Sequence, residues 1–107
     1  MNNIINLTPH TLNIHTNGEI LNIVASGSVA RVAAEYIKEN DSDYGVDLFN
    51  CVYGEVTGLP PYRPGNTLYV VSGLVKSAVP ERHDVVSPGE LIRDDHGKPI
   101  GCRGLRR

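Results

Sequence analysis

The chain has 107 residues, 40% of them apolar and 21% charged, with a net charge of −2. That length fits one domain, 1–107, and the composition is too apolar for a disordered chain. A pI near 6.0 argues against general nucleic-acid binding, and no apolar run approaches the ~20 residues of a membrane-spanning helix, so neither nucleic acid nor membrane is expected as a partner.

With no Trp and a single Phe, the core must rest on Val, Ile and Leu, and the β-branched members favour strands. Charge is unevenly spread. Residues 1–62 carry two basic and seven acidic side chains, a net −5, and residues 63–107 carry eight and five, a net +3. The basic C-terminal part is the expected place for an anionic ligand, and the asymmetry permits acidic-to-basic contact between subunits of a homo-oligomer. The N-terminus shows no basic segment followed by an apolar one, so secretion is not expected. Cys51 and Cys102 are accordingly expected to be reduced, buried and unbonded in a cytoplasmic protein, and the sequon at Asn6-Leu7-Thr8 carries no meaning there.

Asn17-Gly18 suits a two-residue type I′ turn, which needs positive φ at both positions. Pairing outward sets Thr16 opposite Glu19, Ile14 opposite Leu21 and Leu12 opposite Ile23, with the four apolar residues buried on one face. Ser26-Gly27-Ser28 breaks the chain. In Val29–Ile37, Ala33 and Ala34 allow helix, whereas Val29, Val32 and Tyr36 suit the strand taken here. A polar tip over Glu39–Asp43 would join it to a strand over Val46–Val56. Gly58 to Gly65 holds three prolines and reads as an ordered loop.

Thr67–Ser72 is a short buried strand. Leu74–Val79 fits one or two helical turns ended by Pro80. A short extended piece from Asp84 is expected to turn at Ser87-Pro88-Gly89. Glu90–Cys102 reads as a hairpin around Asp95-His96-Gly97, with Ile92 opposite Ile100. Beyond it, Gly104 and Arg106-Arg107 suggest a strand fraying into an exposed basic tail. The fold expected is mainly β: a small antiparallel sheet or barrel-like domain with two β-hairpins and one short helix.

Glu81-Arg82-His83-Asp84, followed by the Pro88-Gly89 turn and Arg93-Asp94, is the densest polar cluster. The planar fork of Arg suits carboxylate or phosphate. A reversal at Pro88-Gly89 would bring Arg82, Asp84 and Arg93 onto one concave surface with His10 nearby. The same pairs can equally neutralise loop ends. His10 can shuttle a proton or donate to a ligand, or simply cap backbone carbonyls; His15 is expected to be solvated. Tyr53, Tyr62 and Tyr69 can stack on a base or pack in core and loop. No metal-ligand spacing, nucleophile elbow or phosphate loop is present, and no cofactor is implied.

Several segments together resemble a known group: Asn6-Leu7-Thr8-Pro9-His10, Gly58-Leu59-Pro60, Tyr69-Val70-Val71-Ser72, Arg82 with Asp84-Val85-Val86 and Pro88-Gly89, Arg93-Asp94, and Ile100-Gly101-Cys102. The pattern is similar to a family of short uncharacterised proteins encoded by bacteriophages and prophages. The resemblance implies a phage or prophage origin and the host cytoplasm, without any assigned activity. Small phage accessory proteins often act against host defence. The function expected is therefore capture and sequestration of a small anionic, nucleotide-derived defence signal by a homo-oligomer. Arg82, Arg93 and Arg103 would hold phosphate, His10 and Asp84 would hydrogen-bond sugar or base, and Tyr62 or Tyr69 would stack. The alternative is an interaction protein that inhibits a host enzyme through a protein surface; a small hydrolase using His10 and Asp84 is a third reading. Clustered arginines would favour a ligand, and a flat exposed apolar patch a protein partner.

Overall fold

A computed structural model describes residues 3–39, 43–62 and 65–107. Residues 40–42 of the expected loop tip, and residues 63 and 64 of the proline-rich loop, lie outside the described residues. The chain runs β1 (Asn3–Asn6), β2 (Leu12–Thr16), β3 (Glu19–Ile23), β4 (Arg31–Lys38), β5 (Phe49–Thr57), β6 (Thr67–Val70), α1 (Gly73–Ala78), β7 (Val85–Arg93) and β8 (Pro99–Arg106). It is mainly β with one short helix. Six strands form a nearly closed, barrel-like sheet in the order β1-β6-β7-β8-β2-β3, and β4 and β5 form a separate two-stranded ribbon. The sheet is mixed rather than all antiparallel: β1 with β6, β6 with β7 and β8 with β2 are parallel. The α1 crossover carries the chain back so that β7 can lie parallel to β6.

The first hairpin forms in the expected register, with Asn17 at φ 50° and Gly18 at φ 76°. Leu12 and Ile14 are buried, but Leu21 stays 40% exposed. The reason is position: β3 ends the sheet order, with one strand neighbour. The second long hairpin and the short helix also appear where expected. Ser72 caps the helix by accepting from the Val75 amide at 3.3 Å, as its hydroxyl should at an N-cap.

The expected turn at Ser87-Pro88-Gly89 does not form; these residues lie inside β7. Proline is tolerated there because β6 pairs β7 at Val85 and Val86 and has ended by Pro88, so its missing N–H removes no ladder bond on that side. Gly89 lies against β8, where a Cβ would collide with the Arg103 carbonyl oxygen. Gly104, at φ 58°, breaks the side-chain alternation of β8: Cys102 and Leu105 both reach the same core. Glycine at such a point marks a tight corner of a closing sheet. The hairpin tip forms around Gly97 at φ 79°, with Asp94 Oδ1 accepting from the His96 and Lys98 amides at 2.9 Å each. Its register differs from expectation. A bulge beside Ile92 sets it opposite Gly101 rather than Ile100. The C-terminal segment is paired as far as Arg106 rather than frayed.

The end of β6 and the start of β7 are buried on both faces. Tyr69, Val71 and Val85 join Leu7, Ala30 and Val75 under α1, while Val70 and Val86 join Leu12, Ile14 and Cys102 inside the barrel. This explains the uninterrupted Tyr69-Val70-Val71 run, as a parallel strand covered on both sides requires. Of the two unbonded cysteines, Cys102 is buried as expected, but Cys51 is exposed on the ribbon. His15 is half-buried, not solvated, with its ring lying over Gly101.

Asn6, 1% exposed, joins the first strand to the third. Its Nδ2 donates to the His10 carbonyl at 2.7 Å and the Ile23 carbonyl at 3.0 Å, and its Oδ1 accepts from the Thr8 amide at 2.9 Å and the Thr8 hydroxyl at 2.6 Å. The Asn6 carbonyl accepts from the Ser26 amide at 3.0 Å. Asn6→Ala would strand the Ile23 carbonyl and the Thr8 amide, each costing about 1–3 kcal/mol where water cannot replace the bond, while the His10 carbonyl keeps the Thr8 hydroxyl at 3.1 Å. Urea denaturation of this variant is expected to show a loss of about 3 kcal/mol, against about 1 kcal/mol for Thr8→Val.

Candidate functional site

The expected convergence of arginines does not occur. Arg82 precedes β7 and Arg93 ends it, so an extended strand, roughly 25 Å of chain, separates them. Arg82 is also held by an ion pair and a loop carbonyl. Its Nε and Nη2 each donate to one oxygen of Asp84 at 2.8 Å, and Nη2 donates to the Pro60 carbonyl at 3.0 Å. Both side chains are largely buried, at 18% and 9% exposed. The hydrogen bonds from Arg82 hold the Asp84 carboxyl below its ordinary pKa, against the opposing effect of burial, and those to Asp84 raise the guanidinium. This planar two-bond pairing fastens the proline-rich loop to the crossover between β6 and β7, and the Asp84 carboxylate already balances the guanidinium charge.

The remaining expected ligand residues are scattered. Arg93 donates from Nη1 to the Gly97 carbonyl at 2.8 Å and braces the exposed hairpin tip. Arg103 faces Glu90 at 3.7 Å in a solvent-exposed pair. Tyr69 is 9% exposed within the core, so stacking on a ligand is closed to it. His10 is exposed and contributes its carbonyl to the Asn6 knot. Tyr62 and Asp84 do share a wall. They line an open groove of about 490 Å³ with Asn66, His83 and Arg107, and Arg107 reaches the His83 carbonyl at 2.9 Å. Among the described residues, no group of three or more His, Cys, Asp or Glu is placed to hold a metal ion, and no helix is long and apolar enough to cross a membrane.

The larger unassigned surface is the β4–β5 ribbon. At its base Val32 pairs with Val56 and both pack on the core under α1. Alternation along β4 places Ala34 and Tyr36 on that same face. Their partners across the ladder, Tyr53 and Cys51, share it, as does Phe49 opposite Lys38. Helix α1 reaches this face only near its base, where the Tyr53 hydroxyl meets Cys51 and Ser77; the Cys51 thiol is the main cause raising the Tyr53 phenol above its ordinary pKa. Further out Tyr36 is 70% and Phe49 56% exposed. The opposite face carries Ile37 and Val52, each 48% exposed. Sequence reasoning placed this hairpin but gave it no role. The signal was available: alternation along the two strands puts Tyr36, Phe49 and Tyr53 on the face of Val32 and Val56, with Ile37 and Val52 on the other.

Comparison with known protein families, curated proteins and solved structures finds no match to this chain.

Because the folded pKa of Asp84 is depressed, its contribution to stability is complete above the unfolded value of about 3.9 and is lost as pH falls through the lower folded value. Asp84→Asn should therefore flatten the acid limb of the stability-against-pH curve. Arg82→Ala, which leaves a half-buried carboxylate without its partner, should cost about 1–3 kcal/mol at pH 7. Denaturant titrations across the acid range check both.

Proposed function

We propose that this chain is a binding protein that works through protein–protein contact, with the β4–β5 ribbon as its contact element. The observation that carries this reading is the uncovered continuation of the core face, Tyr36 and Phe49 beyond Val32 and Val56. A two-stranded ribbon alone is marginal in water, and aromatic side chains held on paired strands are the anchors that interfaces favour. The dispersal of the arginines removes the argument for a built phosphate site and leaves the exposed apolar surface as the stronger feature. The resemblance to phage-encoded proteins supplies the setting, a host cytoplasm in which a host enzyme or further copies of the chain are the available partners. A photo-activated cross-linking amino acid at position 49 tests the reading in cells. An adduct of defined mass is expected there and not from a control at exposed Asn22; irradiation that yields no adduct at position 49 overturns it.

A second reading, capture of a small anionic nucleotide-like ligand, is favoured by the groove beside Arg107. Tyr62, 61% exposed, would stack on a base there and Arg107 would meet a phosphate. Calorimetric titration with a nucleoside monophosphate should then show binding that Tyr62→Ala and Arg107→Ala each weaken roughly tenfold. Absence of heat with the unaltered protein, or binding that neither substitution changes, removes this reading.

A further inference from the structure

The outer edge of β4 is open. Among the described residues β4 pairs with β5 alone, and that pairing decides which of its main-chain groups face outward. The Glu39 amide donates to the Leu48 carbonyl at 2.8 Å, and the ladder below sets Ile37 opposite Asn50, Tyr36 opposite Cys51 and Glu35 opposite Val52. Hydrogen-bonded and non-bonded pairs alternate along an antiparallel ladder. Glu39, Ile37 and Glu35 therefore turn their amides and carbonyls to β5, and those of Lys38, Tyr36 and Ala34 point away from it. At its foot the edge is closed, because the Ala30 amide donates to the Leu7 carbonyl at 3.0 Å.

A cavity of about 230 Å³ lies at that foot, between the Leu7–Pro9 segment, the start of β4 and α1. Leu7, Ala30 and Val75, all buried in the core, are part of its lining, so its depth is apolar. Among the described residues that line it, Arg31 alone is charged. Arg31 is exposed and has no ion pair or side-chain hydrogen bond among the described residues. The volume falls below the roughly 300 Å³ at which small-molecule sites begin. It suits one aliphatic side chain with a charged group at the mouth, not a nucleotide.

We propose that this edge and cavity take the carboxyl-terminal segment of a partner protein. The segment adds to β4 as an antiparallel strand, bonds to the outward main-chain groups of Lys38, Tyr36 and Ala34, and ends at the foot of the edge. Its last side chain, an aliphatic one, enters the cavity, and its terminal carboxylate meets Arg31. In strand addition main-chain bonds supply the affinity and pockets supply the choice of side chain. A chain end is favoured over an internal segment for two reasons. The Leu7–Pro9 segment blocks the edge, which leaves a continuing chain nothing to pair with, and an unpaired guanidinium suits a carboxylate. Residues 31–57 carry six acidic and two basic side chains, so Lys or Arg shortly before the end of the segment is attracted to the ribbon. This rests on the reading of the ribbon as a contact element and adds what the partner presents to it.

Retention of a peptide pool on the immobilised full chain, read by mass spectrometry, tests this. The pool holds hexapeptides with Lys at the first two positions, mixed residues at the next three and Val, Leu or Ile last. It is made with free and with amidated carboxyl termini. Free acids are expected to be retained roughly tenfold or more over their amides, since the amide lacks the charge-assisted pair. Arg31→Gln, which should leave the far-UV circular dichroism unchanged, should erase that difference. Methylating alternate peptide nitrogens should abolish retention for one of the two possible sets, which reports strand addition without altering the protein. Equal retention of acids and amides overturns the proposal, as does an acid preference that survives Arg31→Gln or retention indifferent to both methylated sets. A cross-linked adduct at position 49 together with no acid preference leaves the ribbon a contact element and removes only this occupant. No adduct and no retention remove both.

Discussion

The Asn6 carboxamide is the constraint on which the rest of the fold depends. The barrel-like sheet begins and ends with two short strands, β1 and β3, that share no ladder. What ties them is one buried side chain, which donates to the Ile23 carbonyl at the end of β3 while accepting from Thr8 just beyond β1. An amide can do this because it offers two donors and an acceptor with two lone pairs, and all of them are used. Once β1 is held beside β6 and tied to β3, Leu7 and Ala30 are carried under α1, and the second core forms on the outer side of the sheet. A polar knot therefore organises an apolar structure. It also lies within a segment, Asn6 to His10, whose functional interest from sequence alone had seemed to rest on the histidine.

Local chemistry was legible where one interaction decides the outcome. Asn17-Gly18 fixed its hairpin register because two successive positive φ values admit few other residues. The Ser72 cap and Pro80 bracketed the helix for similar reasons. Pro88-Gly89 misled because the same dipeptide serves two purposes. It can reverse a chain, or it can sit in a strand where one neighbour has ended and the other comes too close for a Cβ. Which applies depends on where β6 stops and on Gly104 across the ladder, facts set by tertiary pairing rather than by the dipeptide. The candidate anion site failed with that turn. Its residues were correctly seen as a charged pair at a loop end, and the plainer reading of Arg82 and Asp84 is the one realised.

The division of burial follows from the lengths of the strands. β1 and β6 have four residues each, too short to stabilise a sheet by pairing alone; β6 ends in Tyr69 and Val70, buried on opposite faces, and β1 ends in the buried Asn6. β4 and β5 have eight and nine, so only their bases reach the core while the outer parts run past it. The bulge between Val32 and Ala34 lies where the ribbon leaves the body, and bulges there increase twist and bend the strand away. Exposure of Tyr36 and Phe49 is thus built into strand length rather than being an accident of side-chain conformation.

An exposed ribbon with free edges also invites open-ended strand addition, and the charges along it bear on that hazard. Lys38 and Asp47 pair at 3.2 Å near its outer end, and Glu35 stands on the face that carries Ile37 and Val52. Charged side chains on an edge are a standard protection against edge-to-edge growth, and the ribbon's net negative charge opposes stacking on its like. On the reading of the ribbon as a contact element, these charges disfavour a like ribbon and leave the Tyr36 and Phe49 face as the part open to a partner with a different surface.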